Sequence, residues 1–314
     1  MINRKSICML ALTAVLTIGG LVGCTKDSKT ESNKELITVT ARNGEVEVPK
    51  NPEKVVVLDY GTVDTLEELG VKIAGLPKAS LPSYLNDYSG DEYTDVGTLF
   101  ELNYETINEL NPDLIIIEGR QADQIDELKK IAPTIQLGSD GTNYINSVKS
   151  NTEVLGKIFD KEGEAKKQIE EIDNRIEAIK TKVTGENINA LLTMVNEGSM
   201  NVYGAGSRFN VLYNEFGFEP TDSNIEVSKH GQSITSEYIL EKNPNYLFVL
   251  DKGAITGKSS NTAKEIIENE LVKSGETFKN GNIIYVNAEA WYVGGAGIKA
   301  AGVIVEDVEK ALKL

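Results

Sequence analysis

Cysteine is nearly absent from this 314-residue chain, and histidine and tryptophan each occur once. Both cysteines, Cys8 and Cys24, fall within the first thirty residues. Everything after them lacks a disulfide framework, a thiolate metal site and a cysteine nucleophile. A single histidine argues against a zinc or manganese site, which usually draws on several His and carboxylate ligands. Positive charge is also short. The chain carries 32 Lys and Arg against 48 Asp and Glu, a net charge of −16. That balance argues against nucleic acid, and an anionic ligand would have to be caught by a local basic patch against the global field. Catalytic motifs are missing as well. Gly204-Ala-Gly206-Ser-Arg208 has neither the Gly-x-Gly-x-x-Gly spacing nor the Lys-Ser/Thr of a P-loop, and there is no Gly-x-Ser-x-Gly elbow. The many acids fall mostly on helix faces such as 162–177, where solvated surface is their ordinary role. The chain is therefore expected not to be an enzyme, with a cell-surface hydrolase as the alternative of a different class.

What is present begins with an export signal. Arg4 and Lys5 precede an uncharged run from Ile7 to Val22, too short to span a membrane. The run ends at Leu21-Val22-Gly23-Cys24, small residues before a cysteine, as a lipoprotein signal peptidase reads them. Residues 1–23 are expected to be a signal peptide, with Cys24 lipidated and residues 24–36 a flexible tether. The competing reading is an ordinary signal peptide with an incidental Cys24. Cleavage would remove Arg4 and Lys5 and no acid, taking the net charge from −16 to −18. The expected location is the extracytoplasmic face of the cell membrane.

Strand and helix patterns alternate through most of the rest, which reads as α/β. A hairpin is expected over Ile37–Val48, turning at Asn43-Gly44. Buried strands are expected at 54–59, 73–76, 114–118 and 134–137, then at 190–195, 246–250 and 283–286. Helices are expected at 63–69, 104–110, 123–131, 209–216, 236–242, 262–269 and from Ile298. Between 144 and 184 there is no proline, and Val154, Leu155, Ile158, Phe159, Ile169, Ile172, Ile176 and Ile179 fall at helical spacing. The expected organisation is an N-terminal lobe (37–143), one long connecting helix (144–184) and a C-terminal lobe (185–314). An internal repeat supports two lobes. Glu105-x-Ile107-x-x-x-Asn111-Pro112 before Leu114–Glu118 recurs 132 residues on as Glu237-x-Ile239-x-x-x-Asn243-Pro244 before Tyr246–Leu250.

The repeat aligns Arg120 with Lys252, each just past the carboxyl end of a strand, where open parallel sheets bind ligands. Arginine after Cys24 is limited to Arg42, Arg120, Arg175 and Arg208. Arg42 falls in a turn and Arg175 on the exposed connecting helix. Arg120 and Arg208 are left as cleft candidates, with Arg208 expected to open a helix whose N-terminus favours anions. The alternative is that each pairs with a nearby acid. His230 lies in the polar loop Ser228-Lys-His-Gly-Gln232, and Trp291-Tyr292 precedes the final helix. Taken alone, these are as well read as surface and packing residues.

The Cys24 motif, the duplicated lobes, the long helix, Glu118-Gly-Arg120-Gln121, Gly206-Ser-Arg208-Phe, Lys229-His-Gly-Gln232 and Trp291-Tyr292 together resemble siderophore-binding lipoproteins of bacterial ABC importers. The likeness runs from about Ile37 to the C-terminus and is nearest the ferric-catecholate group, including petrobactin binders. It implies a class III clamshell of two lobes joined by one long, rigid helix, with the iron complex held between them. It further implies that Arg120, Arg208 and Lys252 meet the anionic ligand, with Trp291 beside it. Lys252 stands where many relatives have Arg, keeping the charge and losing the planar fork. His230 and Tyr292 would ligate iron only where a tetradentate siderophore leaves sites open. Glu105 and Glu237 match acids that dock on the permease, although each opens a helix and could simply cap it. No cofactor is implied, since iron(III) arrives only as part of the siderophore complex. The implied partners are a ferric catecholate siderophore, an ABC permease and the membrane through the lipid anchor. The protein is expected to be a monomer. Haem and cobalamin binders share the fold and remain alternatives.

Overall fold

The computed structural model describes residues 35–256 and 262–314. The expected signal peptide, Cys24 and the tether as far as residue 34 lie outside the described residues. The tether was expected to reach residue 36, but Leu36 already pairs with Pro49 in the opening hairpin of β1 (Leu36–Ala41) and β2 (Gly44–Pro49).

The first lobe is built on β3 (Val55–Val57), α1 (Tyr60–Glu68), β4 (Gly75–Leu76), β5 (Thr94–Asp95), α2 (Tyr104–Glu109), β6 (Leu114–Ile117), α3 (Ile125–Leu128) and β7 (Thr134–Gln136). Its strands run parallel in the order β5-β4-β3-β6-β7. β3 and β6 read Val-Val-Val and Leu-Ile-Ile-Ile and are buried throughout, because a parallel sheet is covered on both faces. Val55, Val57, Leu114 and Ile116 enter one core, while Val56, Ile115 and Ile117 enter the other. α1 starts three residues earlier than its apolar pattern suggests. Asp59 caps it, its Oδ1 accepting from the Thr62 amide at 2.8 Å.

Two helices follow, α4 (Tyr144–Ile158) and α5 (Glu162–Gly185), where the sequence suggested one. The helical spacing continues through Phe159, but Asp160 adopts φ 58° and the Lys161 amide turns back to the Gly156 carbonyl at 2.7 Å. Phe159 is buried in the first-lobe core at this reversal. The chain therefore crosses between the lobes twice. α4 carries Tyr144, Ile145 and Val148 in the second-lobe core and Leu155 and Ile158 in the first. α5 returns from Ala165 in the first to Ile172, Ile176, Ile179 and Val183 in the second. At 1.5 Å per residue its 24 residues span about 36 Å.

The second lobe contains β8 (Asn189–Asn196), β9 (Ser199–Tyr203), α6 (Val211–Asn214), β10 (Glu219–Pro220), β11 (Gln232–Ile234), α7 (Ser236–Lys242) and β12 (Tyr246–Asp251). After them come α8 (Lys252–Thr256), α9 (Ala263–Ile267), α10 (Glu270–Lys273), α11 (Glu276–Lys279), β13 (Ile283–Tyr285), α12 (Ala288–Tyr292) and α13 (Ile298–Leu312). The sheet order is β11-β9-β8-β12-β13, with β10 also on β8. β12 is parallel to β8 and β13, whereas β9 and β11 run antiparallel to their neighbours. The duplicated segments occupy equivalent places. β6 lies between β3 and β7, β12 lies between β8 and β13, and both break residues are left-handed (Asn111 φ 47°, Asn243 φ 42°). Asparagine tolerates that conformation, and the proline after it prevents the helix from resuming.

α13 joins the lobes. Its first amides are satisfied by α1 of the other lobe: Ile298 N–H donates to Thr65 Oγ1 at 3.1 Å and Ala300 N–H to Asp64 Oδ2 at 3.0 Å. The contact is too close for any side chain at Gly61, whose Cβ would lie 2.9 Å from the backbone of 294–297. Arg175, expected on an exposed helix face, is half-buried. It grips Glu309 of α13 through Nε (3.0 Å) and Nη2 (2.7 Å), a bidentate pair that ties α5 to α13.

Candidate functional site

Ligands of open α/β sheets bind beyond the carboxyl ends of the strands. β6 ends there at Ile117, Glu118 follows it, and a short 3₁₀ turn over Gly119–Gln124 carries Arg120. Gln121 anchors the turn. It is fully buried, takes the Glu118 amide on its Oε1 at 3.2 Å, and donates Nε2 to the Leu99 carbonyl at 2.7 Å. The Arg120 guanidinium pairs with the Glu118 carboxylate. From the second lobe, Arg208 comes from the turn between β9 and α6. Its Nη2 donates to the Tyr292 carbonyl at 3.1 Å, and its guanidinium lies 4.6 Å from the Tyr292 ring centre and 5.2 Å from that of Phe209. Phe209 is itself buried edge-on against Tyr203. α6 begins three residues after Arg208 and spans four residues, so Arg208 does not open a helix and the expected N-terminal contribution falls away.

These groups line one cavity of about 470 Å³, within the range of small-molecule sites. The first lobe and the segment before α4 contribute Glu118, Arg120, Ser139 and Gly141, and α4 contributes its first residue, Tyr144. The second lobe contributes Arg208, Val227, Ser228, Lys229, Trp291 and Tyr292, with nearby glycines. Gly141 closes the floor. A Cβ there would sit 2.8 Å from Arg208 Cα, so only glycine allows the two lobes to approach this closely. Trp291 is 5% exposed, and its Nε1 donates to Asp307 at 2.9 Å, so it is a core residue with one edge on the cavity. Lys252 is not on the wall, but its ammonium lies 5.3 Å from the Tyr292 ring centre.

His230 is exposed and does not line the cavity; its neighbour Lys229 does. The loop is pinned at Gly231 (φ 74°), with Ser228 Oγ donating to its carbonyl at 3.0 Å. The structure thus brings Arg120, Arg208, Trp291 and Tyr292 together, sets Lys252 against Tyr292, and leaves His230 outside. It adds Lys229 and Glu118. Both lie in segments the sequence singles out, but nothing in the sequence distinguishes which side chain of each segment faces inward. Among the described residues no cluster of three or more His, Cys, Asp or Glu side chains is placed to hold a metal ion.

Behind Glu118 lies Asp59, 4% exposed, with its Oδ2 bonded to nothing in the protein. Burial, and then the Glu118 charge, push its carboxyl up to about 6, against the pull of Thr62 and Arg120. Tyr144 also has a buried hydroxyl without a protein partner, at the cavity wall. Glu105 and Glu237 are not among the residues that line this cavity. Both are exposed in the first turns of α2 and α7, and Asn103 already caps α2 by accepting from the Thr106 amide at 3.1 Å.

Comparison with known proteins decides the family. The sequence profile described as periplasmic binding protein matches residues 55–290. The chain belongs to the periplasmic binding protein family. Among curated members of this family, it is 42% identical over 317 residues to the petrobactin-binding protein YclQ of Bacillus subtilis, covering 99% of each chain. It is 32% identical over 279 residues to the ferric-anguibactin-binding protein FatB of Vibrio anguillarum, covering 87% of each. The crystal structure of YclQ superposes with a TM-score of 0.85 at 43% identity, covering 90% of this chain and all of that one. The catecholate-siderophore binding protein VctP of Vibrio cholerae gives 0.83 at 35% identity, covering 88% of this chain and all of that one. The two lobes are those of class III periplasmic binding proteins, as the sequence suggested.

Proposed function

We propose that this chain binds an iron(III)–siderophore complex of the catecholate type outside the cytoplasm and delivers it to an ABC permease for iron uptake. The observation that carries the reading is the convergence of Arg120 from one lobe with Arg208 and Lys229 from the other on a single cavity beside Tyr292. Iron(III) held by three catecholates is about trianionic, and catecholate oxygens accept charge-assisted hydrogen bonds from guanidinium and ammonium groups. Lys252, stacked on Tyr292, adds a further positive charge behind the wall. Relatives named for petrobactin, anguibactin and catecholate siderophores support the same ligand class over haem or cobalamin. They are binding proteins, which supports a non-catalytic role over that of a hydrolase.

The metal is cargo here. With a tetradentate siderophore, Tyr292 on the wall and His230, carried in by a shift of its loop, would complete the coordination of iron, phenolate and imidazole both being suitable ligands. Glu105 and Glu237, one exposed acid at the matching place on each lobe, would meet cations on the permease. Cys24 would carry the lipid that holds the protein at the membrane. Cys24→Ala should then release the protein or leave its precursor uncleaved, and a mutant processed and retained like wild type would rule the anchor out.

Trp291 is the one tryptophan of the chain and edges the cavity, so its fluorescence reports occupancy directly. Titration with ferric petrobactin should give saturable quenching, and haem and cobalamin should give none at the same concentrations. Tighter binding of either of those two would overturn the assignment.

A further inference from the structure

Charge is divided unevenly between the two walls of the cavity. The second lobe presents Arg208 and Lys229 with no acid among its lining residues. The first lobe presents Arg120 already paired with Glu118, the one acid in the lining. Both partners are largely shielded, with side-chain exposures of 27% for Arg120 and 16% for Glu118. Glu118 is also held in place. Its amide is bound by the Gln121 side chain, and its own carboxylate faces the Gln121 amide in a reciprocal capping box. The capping box and the pair with Arg120 thus hold the carboxylate beside the guanidinium where a ligand approaches. An incoming anion meets a guanidinium whose charge is locally cancelled and a fixed negative charge beside it. At a half-buried site such repulsion is only partly screened, and it scales with the charge of the ligand.

We propose that Glu118 is a specificity-determining residue, a built-in counter-ion that sets the preference of this cleft among ferric complexes according to their negative charge. This inference rests on the ferric-catecholate reading above. The second-lobe wall then makes first contact with the anion, and Arg120 engages against the opposition of Glu118. The more negative the complex, the more affinity the carboxylate takes away. A purely structural role, in which Glu118 exists to aim Arg120, makes the opposite prediction. Its removal would then weaken binding. Glu118→Gln separates the two. It keeps the shape and a hydrogen-bond acceptor for Arg120, and leaves the Gln121 anchor to the backbone intact.

The test compares wild type and Glu118→Gln by Trp291 quenching with two probes, a hexadentate ferric tris-catecholate of charge about −3 and a tetradentate ferric bis-catecholate of charge about −1. The variant should bind the first at least about tenfold more tightly, equivalent to 1.4 kcal/mol. It should bind the second no more than about threefold more tightly, and raising the salt concentration should shrink the difference. Equal gains for both probes, no gain, or a loss would overturn the proposal. Glu118→Ala serves as a second variant should the first fold poorly, with the same ratio of affinities as readout. Failure of the ligand class is distinguishable, because wild type would then bind neither probe and both readings would fall together.

Discussion

Asp59→Asn should make the protein more stable, and more so at neutral pH than in mild acid. The Asp59 carboxyl is buried, caps α1 through Oδ1, and leaves Oδ2 without a partner. Its pKa is raised from 3.8 to about 6, chiefly by burial and secondarily by Glu118. A raised carboxylate means that the folded protein holds a proton the unfolded chain has released. Stability is therefore lost as pH rises from the ordinary value through about 6. At 1.36 kcal/mol per pH unit, the ionised form costs about 3 kcal/mol above that window and about 1 kcal/mol at pH 4.5. Asparagine keeps the Oδ1 cap and carries no charge, so it escapes this cost. Asp64, whose carboxyl is raised chiefly by burial and also by the charge of Asp59, is relieved of that repulsion in the variant, which adds to the same trend. Urea unfolding followed by far-UV circular dichroism should show the advantage of Asp59→Asn growing by about 2 kcal/mol between pH 4.5 and pH 7.5. An advantage that does not change with pH, or a variant less stable than wild type at pH 7.5, would refute the electrostatic account of this residue.

Two further outcomes concern function. A Glu105→Ala, Glu237→Ala double variant should keep its ligand affinity and lose less than about 1 kcal/mol of stability, while iron uptake through the permease fails; reduced stability with intact uptake would make both acids helix caps. Tyr292→Phe and His230→Ala should weaken a tetradentate ferric complex at least about tenfold more than a hexadentate one, because only the former leaves iron positions open; equal losses would reduce both residues to cleft lining.

The architecture was legible where local chemistry and burial agree. The all-apolar β3 and β6 announce a covered parallel sheet, and the paired Asn-Pro breaks at 111–112 and 243–244 mark equivalent left-handed helix ends. β9 was not legible. Its hairpin depends on Glu197 and Gly198 both taking positive φ, and Glu-Gly is a weak turn signal compared with Asn-Gly. The reversal between α4 and α5 was hidden because Ile158 and Phe159 continue the helical spacing up to the point where Asp160 breaks it. At the site, the scarcity of arginine drew attention to Arg120 and Arg208, and both line the cavity. The loop holding His230 was located, but the choice between adjacent Lys229 and His230 depends on the turn at Gly231, which sequence does not reveal. Glu118 was passed over for a different reason. In a chain of 48 acids, a carboxylate becomes noticeable only when the fold places it against Arg120.

The central claim is that cations from both lobes hold an anionic iron complex between them. The dissociation constants of Arg120→Ala and Arg208→Ala for a ferric tris-catecholate, read from Trp291 quenching, test it most directly. Each substitution should cost about 1.5–3 kcal/mol, roughly 10- to 150-fold in affinity, the scale of hydrogen bonds to charged groups, while thermal stability hardly changes. Wild-type affinity in both variants would contradict the account and place the ligand elsewhere.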